Sequence, residues 1–271
     1  MRTLIYILLI SLLSCGSDDG EGPTDTITEI IPAGYKSVSS ARISHDGTKI
    51  AMVVDKDDKN LLIVTSLTGE DIQVLDVQGL DYLSTLAWSS DDSAIYFSGD
   101  GIARVALSGT ATEVVVDAFA VSSFDLAPDD KTIAWSTNGG RALNIGSLST
   151  LPVKTAESVQ VTGASEPRFS ADNKKILIRI GGKYHTVEID GENLVEHVEG
   201  AGFLSNGAWM DEDSFLFLAN DKINSFDLSS KKTTVVNADG FAAKGLDYSQ
   251  KAGKYTYLLN GQKSLKIAGL R

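Results

Sequence analysis

The sequence has almost no cysteine. Its one thiol, Cys15, lies near the start, so no disulfide can form within the chain, and packing and strand pairing must hold the fold. Histidine is nearly as scarce. His45, His185 and His197 show neither His-x-x-x-His nor Glu-x-x-His spacing, so no zinc centre is expected. A Gly-x-Ser-x-Gly nucleophile elbow is missing, which removes the commonest sequence sign of a serine hydrolase. Basic residues are in the minority, at 24 against 36 acidic ones, and the net charge of −12 repels phosphate backbones. Nucleic acid is therefore not an expected partner, and docking on anionic lipid by charge alone is disfavoured. The hydrophobic fraction of 42% is ordinary and fills one sizeable core.

The apolar run that does occur is short. Leu4 to Leu13 follows Arg2 and is too brief to span a bilayer, which takes about 20 residues, but it suits the h-region of a signal peptide. It runs into Leu12-Leu13-Ser14-Cys15-Gly16, which resembles the bacterial lipobox. That resemblance implies cleavage after residue 14 and acylation of Cys15, with the acyl chains supplying a membrane anchor. Loss of Arg2 would leave 23 basic residues against 36 acidic, a net charge of −13. Residues 15–25 are polar, acidic and glycine-rich and are expected to form a flexible tether. The triplet Ser17-Asp18-Asp19 resembles the surface-export signal of Bacteroidota lipoproteins. The expected location is thus the outer membrane, with exposure at the cell surface as a further expectation.

What fills the rest of the chain is a repeat. Apolar anchors stand at Ile43, Trp88, Leu126, Phe169, Trp209 and Tyr248, spaced by 45, 38, 43, 40 and 39 residues. In the first five units an acid follows three residues later. Apolar residues return at offset seven (Ile50, Ile95, Ile133, Ile176, Leu216, Tyr255) and offset nine (Met52, Phe97, Trp135, Ile178, Leu218, Tyr257). A period of about 40 residues built from short strands predicts an all-β, six-bladed β-propeller over residues 26–271. In each unit the anchor closes strand a, an Asp- or Gly-rich turn follows, and strand b is apolar at consecutive positions, as a strand buried on both faces must be. Unit six ends before a strand d, whereas Thr28-Glu29-Ile30-Ile31 resembles the d strands Thr112-Glu113-Val114-Val115 and Thr233-Thr234-Val235-Val236. Residues 26–32 are thus expected to complete blade six and close the ring.

Two phrases, Glu166-Pro167-Arg168-Phe169-Ser170 and Leu126-Ala127-Pro128-Asp129, carry a resemblance to the WD40-like repeats of TolB-type propellers. It covers residues 25–271. The helical N-terminal domain of TolB has no counterpart here, so its role in the Tol–Pal system is not carried over.

The residues before the anchors read Arg42, Ala87, Asp125, Arg168, Ala208, Asp247, the triplet Arg-Ala-Asp twice. Ring neighbours would pair Arg42 with Asp247 and Arg168 with Asp125 near the central tunnel. They would form either two inter-blade salt bridges or a polar mouth that grips a ligand. Asp55-Lys56-Asp57-Asp58-Lys59-Asn60 has the acids of a calcium loop but a lysine at the third ligand position, and reads as a solvated hairpin tip. Gly139-Gly140, Gly181-Gly182 and Asn260-Gly261 read as hairpin turns rather than phosphate cradles. Trp88, Trp209 and Tyr248 recur at a fixed offset, as inter-blade core does. Binding is expected on the loops joining strand d to the next strand a and b to c. The stretch Leu151 to Glu166 is the longest, and Tyr82, Phe119 and Phe203 are candidate rim aromatics.

The expectation is a monomeric, non-catalytic binding or scaffold lipoprotein that needs no metal or cofactor and engages an envelope protein or glycan through one rim. A metal-assisted lactonase or lyase is the enzymatic alternative, though two arginines among the tunnel charges would repel a cation. A surface spacer without a specific ligand is the third reading.

Overall fold

Alternation of short apolar strands with Asp- and Gly-rich turns gives 24 strands among the described residues. The structure, a computed structural model, describes residues 27–80, 85–109, 111–118, 120–137, 142–153, 156–159, 161–200, 206–237, 242–259 and 263–270. The first strand, β1 (Thr28–Ile30), stands apart in sequence from its sheet. Blade one holds β2 (Ser37–Ile43), β3 (Lys49–Lys56), β4 (Lys59–Ser66) and β5 (Gln73–Leu75). Blade two holds β6 (Leu86–Trp88), β7 (Ala94–Ser98), β8 (Ile102–Ala106) and β9 (Thr112–Val116). Blade three holds β10 (Val121–Leu126), β11 (Thr132–Thr137), β12 (Leu143–Ser147) and β13 (Ala156–Val159). Blade four holds β14 (Ala164–Phe169), β15 (Lys175–Ile180), β16 (Lys183–Glu188) and β17 (Val195–Glu199). Blade five holds β18 (Ala208–Trp209), β19 (Ser214–Ala219), β20 (Lys222–Asp227) and β21 (Thr233–Asn237). Blade six holds β22 (Ala242–Ser249), β23 (Lys254–Leu259) and β24 (Leu265–Gly269). All pairings within the blades are antiparallel, and each blade's first strand packs against the next blade's, with β2 meeting β22 to complete the ring.

Blade six takes its fourth strand from the other end of the chain. β1 pairs with β24 in the register Thr28↔Ile267, Glu29↔Lys266, Ile30↔Leu265, as the resemblance of residues 28–31 to the d strands predicts. Ile30 is buried with Leu265 and Ile267 against blade one, and Glu29 bonds both Lys266 and Ser264.

The hydrophobic core divides into six clusters, one at each seam between neighbouring blades. All twelve residues at offsets seven and nine are buried in these seams. The anchors Ile43, Trp88, Leu126 and Phe169 are buried too, while Trp209 and Tyr248 are half-buried. Apolar burial on both faces of strand b is thus what stacks the blades.

The repeated acid builds the a–b turn. Asp46, Asp91, Asp129 and Asp172 each accept the backbone N–H two residues on, at 2.9, 3.0, 3.1 and 3.2 Å. Three of them also accept a bond from the serine two positions back, at 2.7 Å each. For Asp91 the Ser93 hydroxyl, which also donates to it, and then the Ser89 hydroxyl and the Ser93 N–H lower the carboxyl pKa to about 2. Successive turns are linked as well. Asp92, at φ 56°, accepts the N–H groups of His45 and Asp46, and Asp130, at φ 54°, accepts that of Ser90. At the closing seam the equivalent residue is Gly47 (φ +72°), where a Cβ would lie 2.9 Å from Ala252 of blade six.

Three details differ from the sequence reading. Strands β3 and β4 run two residues further into the first hairpin than expected. Its turn is only Asp57-Asp58, at φ 54° and 61°, with Asp58 bonded to Lys36. In blade five the turn is built on Asp211, not on Glu212 at offset three. Trp209 pairs with Phe215, one residue short of the offset-seven pairing in the other blades. The stretch Leu151 to Glu166 is not a long loop, because it contains β13 and the start of β14. Ala156-Glu157-Ser158-Val159 carries little apolar signal, since an outermost strand has only one neighbour to pack against.

The seam between blades four and five is the most aromatic. Tyr184, Phe215, Phe217 and Phe226 are buried there in edge and tilted contacts. His197 on β17 lies 5.6 Å from the Phe226 centroid and bonds the Thr186 hydroxyl at 2.8 Å. Burial first, and then the nearby His185, Lys231 and Lys175, hold its imidazole near pKa 4. An unfolded histidine titrates near 6.5. Above that pH neither state is charged. Between 6.5 and 4 the unfolded chain takes up a proton that the folded chain refuses, so stability falls with pH and levels off below 4. Allowing for the ring's partial exposure, the loss should be about 1–2 kcal/mol. Unfolding midpoints measured from pH 7 to 4.5 should drop more for the native chain than for His197→Gln. Equal slopes would remove His197 as the cause.

Candidate functional site

The charged residues that precede four of the anchors bring their side chains together at one mouth of the tunnel. Arg42 Nη1 bonds Asp247 Oδ1 at 2.7 Å, and Asp247 Oδ2 accepts the Ile43 N–H at 2.8 Å. The second half of the ring repeats part of this. Asp125 Oδ2 accepts the Phe169 N–H at 2.9 Å, and Trp209 Nε1 donates to the Arg168 carbonyl at 2.9 Å, as Trp88 Nε1 does to that of Arg42 at 3.0 Å. The Arg-Ala-Asp triplets are thus matched by a pseudo-twofold arrangement of contacts.

The symmetry fails at the second ion pair. Arg168 Nη1 stands 4.0 Å from Asp125 Oδ1 and bonds instead to the main-chain carbonyls of Pro167 (2.9 Å) and Phe124 (3.3 Å). Asp125 Oδ1 is shared across the mouth, with Arg42 Nη2 at 3.7 Å. The cause lies in β14, where a bulge between Ser165 and Arg168 and a positive φ of 55° at Glu166 shift the strand. Burial, then repulsion from Arg42, pushes the Arg168 guanidinium down to about pKa 10. All four residues of the sequence-derived set therefore meet, but only one of the two expected salt bridges is a close one.

Sequence reasoning missed Glu166. Its N–H donates to Ser123 Oγ at 2.8 Å, and its Oε2 is buried with no hydrogen-bond partner. Burial raises its pKa, against the pull of Arg168, Arg179 and Arg42. The signal was present: an acid directly before Pro-Arg, two residues from the tunnel arginine.

The mouth opens on the face of the a–b turns as a cavity of about 340 Å³. Arg42, Asp125, Arg168 and Asp247 line it together with Trp88, Trp209 and Tyr248, and Lys251 and Asp211 stand at its rim. The anchor aromatics thus pack in the seams while bordering the cavity. This is the opposite end of the tunnel from the d–a and b–c loops favoured by sequence. Tyr82, Phe119 and Phe203, like Gly139-Gly140, Asn260-Gly261 and Cys15, lie outside the described residues. Gly181-Gly182 forms the b–c hairpin turn of blade four, at φ 58° and 89°. Among the described residues no three His, Cys, Asp or Glu side chains are gathered as metal ligands.

Solved structures with the same fold include TolB from Acinetobacter baumannii, with a TM-score of 0.64 at 14% identity over 80% of this chain and 55% of that one. The chain thus spans about half the length of that TolB. A chain of a nidogen/laminin complex matches at TM-score 0.64 and 12% identity, covering 86% of this chain and 88% of that one. A protein of unknown function from Bacteroides thetaiotaomicron matches at 0.65 and 10%, covering 92% and 73%. These likenesses show the fold alone. No curated protein matches the sequence. A family model, described as the lipoprotein LpqB β-propeller domain, matches residues 18–163. That match spans just over half the sequence, so the chain belongs to the family described as the lipoprotein LpqB β-propeller domain.

Proposed function

We propose that the protein is a non-catalytic binding or scaffold lipoprotein of the bacterial cell envelope, and that it engages its partner through the tunnel mouth on the a–b turn face. The observation that carries the reading is the 340 Å³ cavity, in which paired charges and aromatic edges converge from blades around the ring. Such a mixture of apolar wall and few fixed polar groups is what binding sites present. The family's lipoprotein character supports the envelope, and the lipobox-like Leu13-Ser14-Cys15 supports an acylated Cys15, here placed at the outer membrane. The partner is a protein or a glycan. The lactonase or lyase reading draws no support from the mouth, where Arg42 and Arg168 oppose a bound cation.

In-cell crosslinking of the tagged chain tests this. Gln250→Trp would narrow the mouth from its exposed rim, while Val114→Asp alters the distant outer edge of blade two. A co-purified envelope component should be lost with the first variant and kept with the second. Loss with neither would move the contact elsewhere on the surface, and capture of nothing at all would leave the spacer reading.

A further inference from the structure

We infer that the tunnel mouth is a receptor for a carboxylate group, held between Arg42 and Arg168. The inference rests on the mouth's being the binding site and adds the chemistry of what binds.

The mouth leaves two guanidinium donors unbonded. Arg42 uses Nε on the Leu86 carbonyl and Nη1 on Asp247, while its buried Nη2 has no hydrogen-bond partner. Among the described residues Arg168 bonds two main-chain carbonyls, and its Nε is likewise buried without a partner. Three of the four oxygens of Asp125 and Asp247 are taken by Arg42 Nη1 and by the backbone N–H groups of Ile43 and Phe169. The fourth, Asp125 Oδ1, lies too far from both arginines to hydrogen-bond either, at 3.7 and 4.0 Å. Buried donors are normally satisfied, and orphaned ones are costly. Glu166 does not make up the difference, since its buried Oε2 bonds neither guanidinium.

The geometry favours a singly charged planar group. Guanidinium and carboxylate match edge to edge. A phosphate would bring a second negative charge close to Asp125, Asp247 and Asp211, which also border the cavity. Trp88, Phe169, Trp209 and Tyr248 make an apolar wall, so the ligand carries an apolar body beside its carboxylate. The protein's overall charge of −12 works against any anion at long range, so affinity should be weak, and salt, which screens that repulsion as well as the guanidinium attraction, should alter it little.

The test is a titration of the purified chain followed by tryptophan fluorescence, since two of the three tryptophans, Trp88 and Trp209, border the mouth. The probes are N-acetyl-L-phenylalanine, its amide, phenyl phosphate, and N-acetyl-L-glutamyl-L-phenylalaninamide. The first offers a chain-end carboxylate and the last a side-chain one, and whichever binds tighter identifies the source. The inference expects the free acid to bind at least about tenfold tighter than its amide, a difference of about 1.4 kcal/mol. It also expects Arg168→Met to abolish that preference while still unfolding cooperatively. Should that variant fail to fold, the comparison of acid with amide on the native chain decides alone. Equal binding of acid and amide would overturn the carboxylate while leaving the mouth as a binding site. Tighter binding of phenyl phosphate would also overturn it. No binding of either acid would overturn it too, with the envelope-partner reading left to the crosslinking result.

Discussion

Deleting residues 27–31 should cost on the order of 5 kcal/mol, a large share of the roughly 5–15 kcal/mol that holds a typical domain. The deletion strips β1 from β24, uncovers Leu265 and Ile267, and leaves Lys266 and Ser264 without Glu29. Ile30 is buried, and trimming it alone, as Ile30→Ala, should cost about 2–4 kcal/mol. Urea unfolding should show both losses. The deletion should also expose the edge of β24, a row of unpaired backbone groups, and promote self-association at high concentration in size-exclusion runs. A deletion variant as stable and monomeric as the native chain would mean that blade six holds with three strands.

Arg42→Met should be the most destabilising single change at the mouth, by about 3–5 kcal/mol, because it strands Asp247 in a buried site. Asp247 would keep the Ile43 N–H but lose the 2.7 Å guanidinium bond, and Leu86 would lose the donor to its carbonyl. Arg168→Met should cost less, since Arg168 makes no close bond to a carboxylate. The double variant Arg42→Met/Asp247→Leu should recover much of the loss, because an apolar pair replaces a desolvated ionic one. Chemical unfolding of the three variants against the native chain checks the order. Equal costs for the two arginines would contradict the broken symmetry of the mouth.

How legible was this in the sequence? The blades were, because a strand buried on both faces must be apolar at every position, and Ile50 to Val54 or Phe215 to Leu218 say so directly. The ring closure was as well, since Thr28-Glu29-Ile30-Ile31 repeats the composition of other outer strands. The mouth was half legible. Counting back one residue from each anchor finds Arg42, Asp125, Arg168 and Asp247, but not that Arg42 would reach across toward Asp125 while Arg168 turned to carbonyls. That outcome depends on a bulge and a left-handed residue at Glu166, which composition does not announce. The turn in blade five was misassigned because Asp211, Glu212 and Asp213 are adjacent acids, and only backbone register selects among them. β13 was hidden because a four-residue edge strand needs no apolar stripe.

The seam sealed by β1 also fixes an order of events. The bonds from Ser264 and Lys266 to Glu29 join residues 235 and 237 positions apart, whereas each blade assembles from neighbours within about 40 residues. Closing the longer loop costs about 1.6 kcal/mol more than closing one blade, and it cannot begin until the last residues of the chain have emerged. Five blades can form in sequence while the first strand waits without a partner. The seam between blades six and one is then the last to form, and a nascent chain that stalls before β22 stays an open arc, with the apolar face of Val38, Ile43 and Met52 bare.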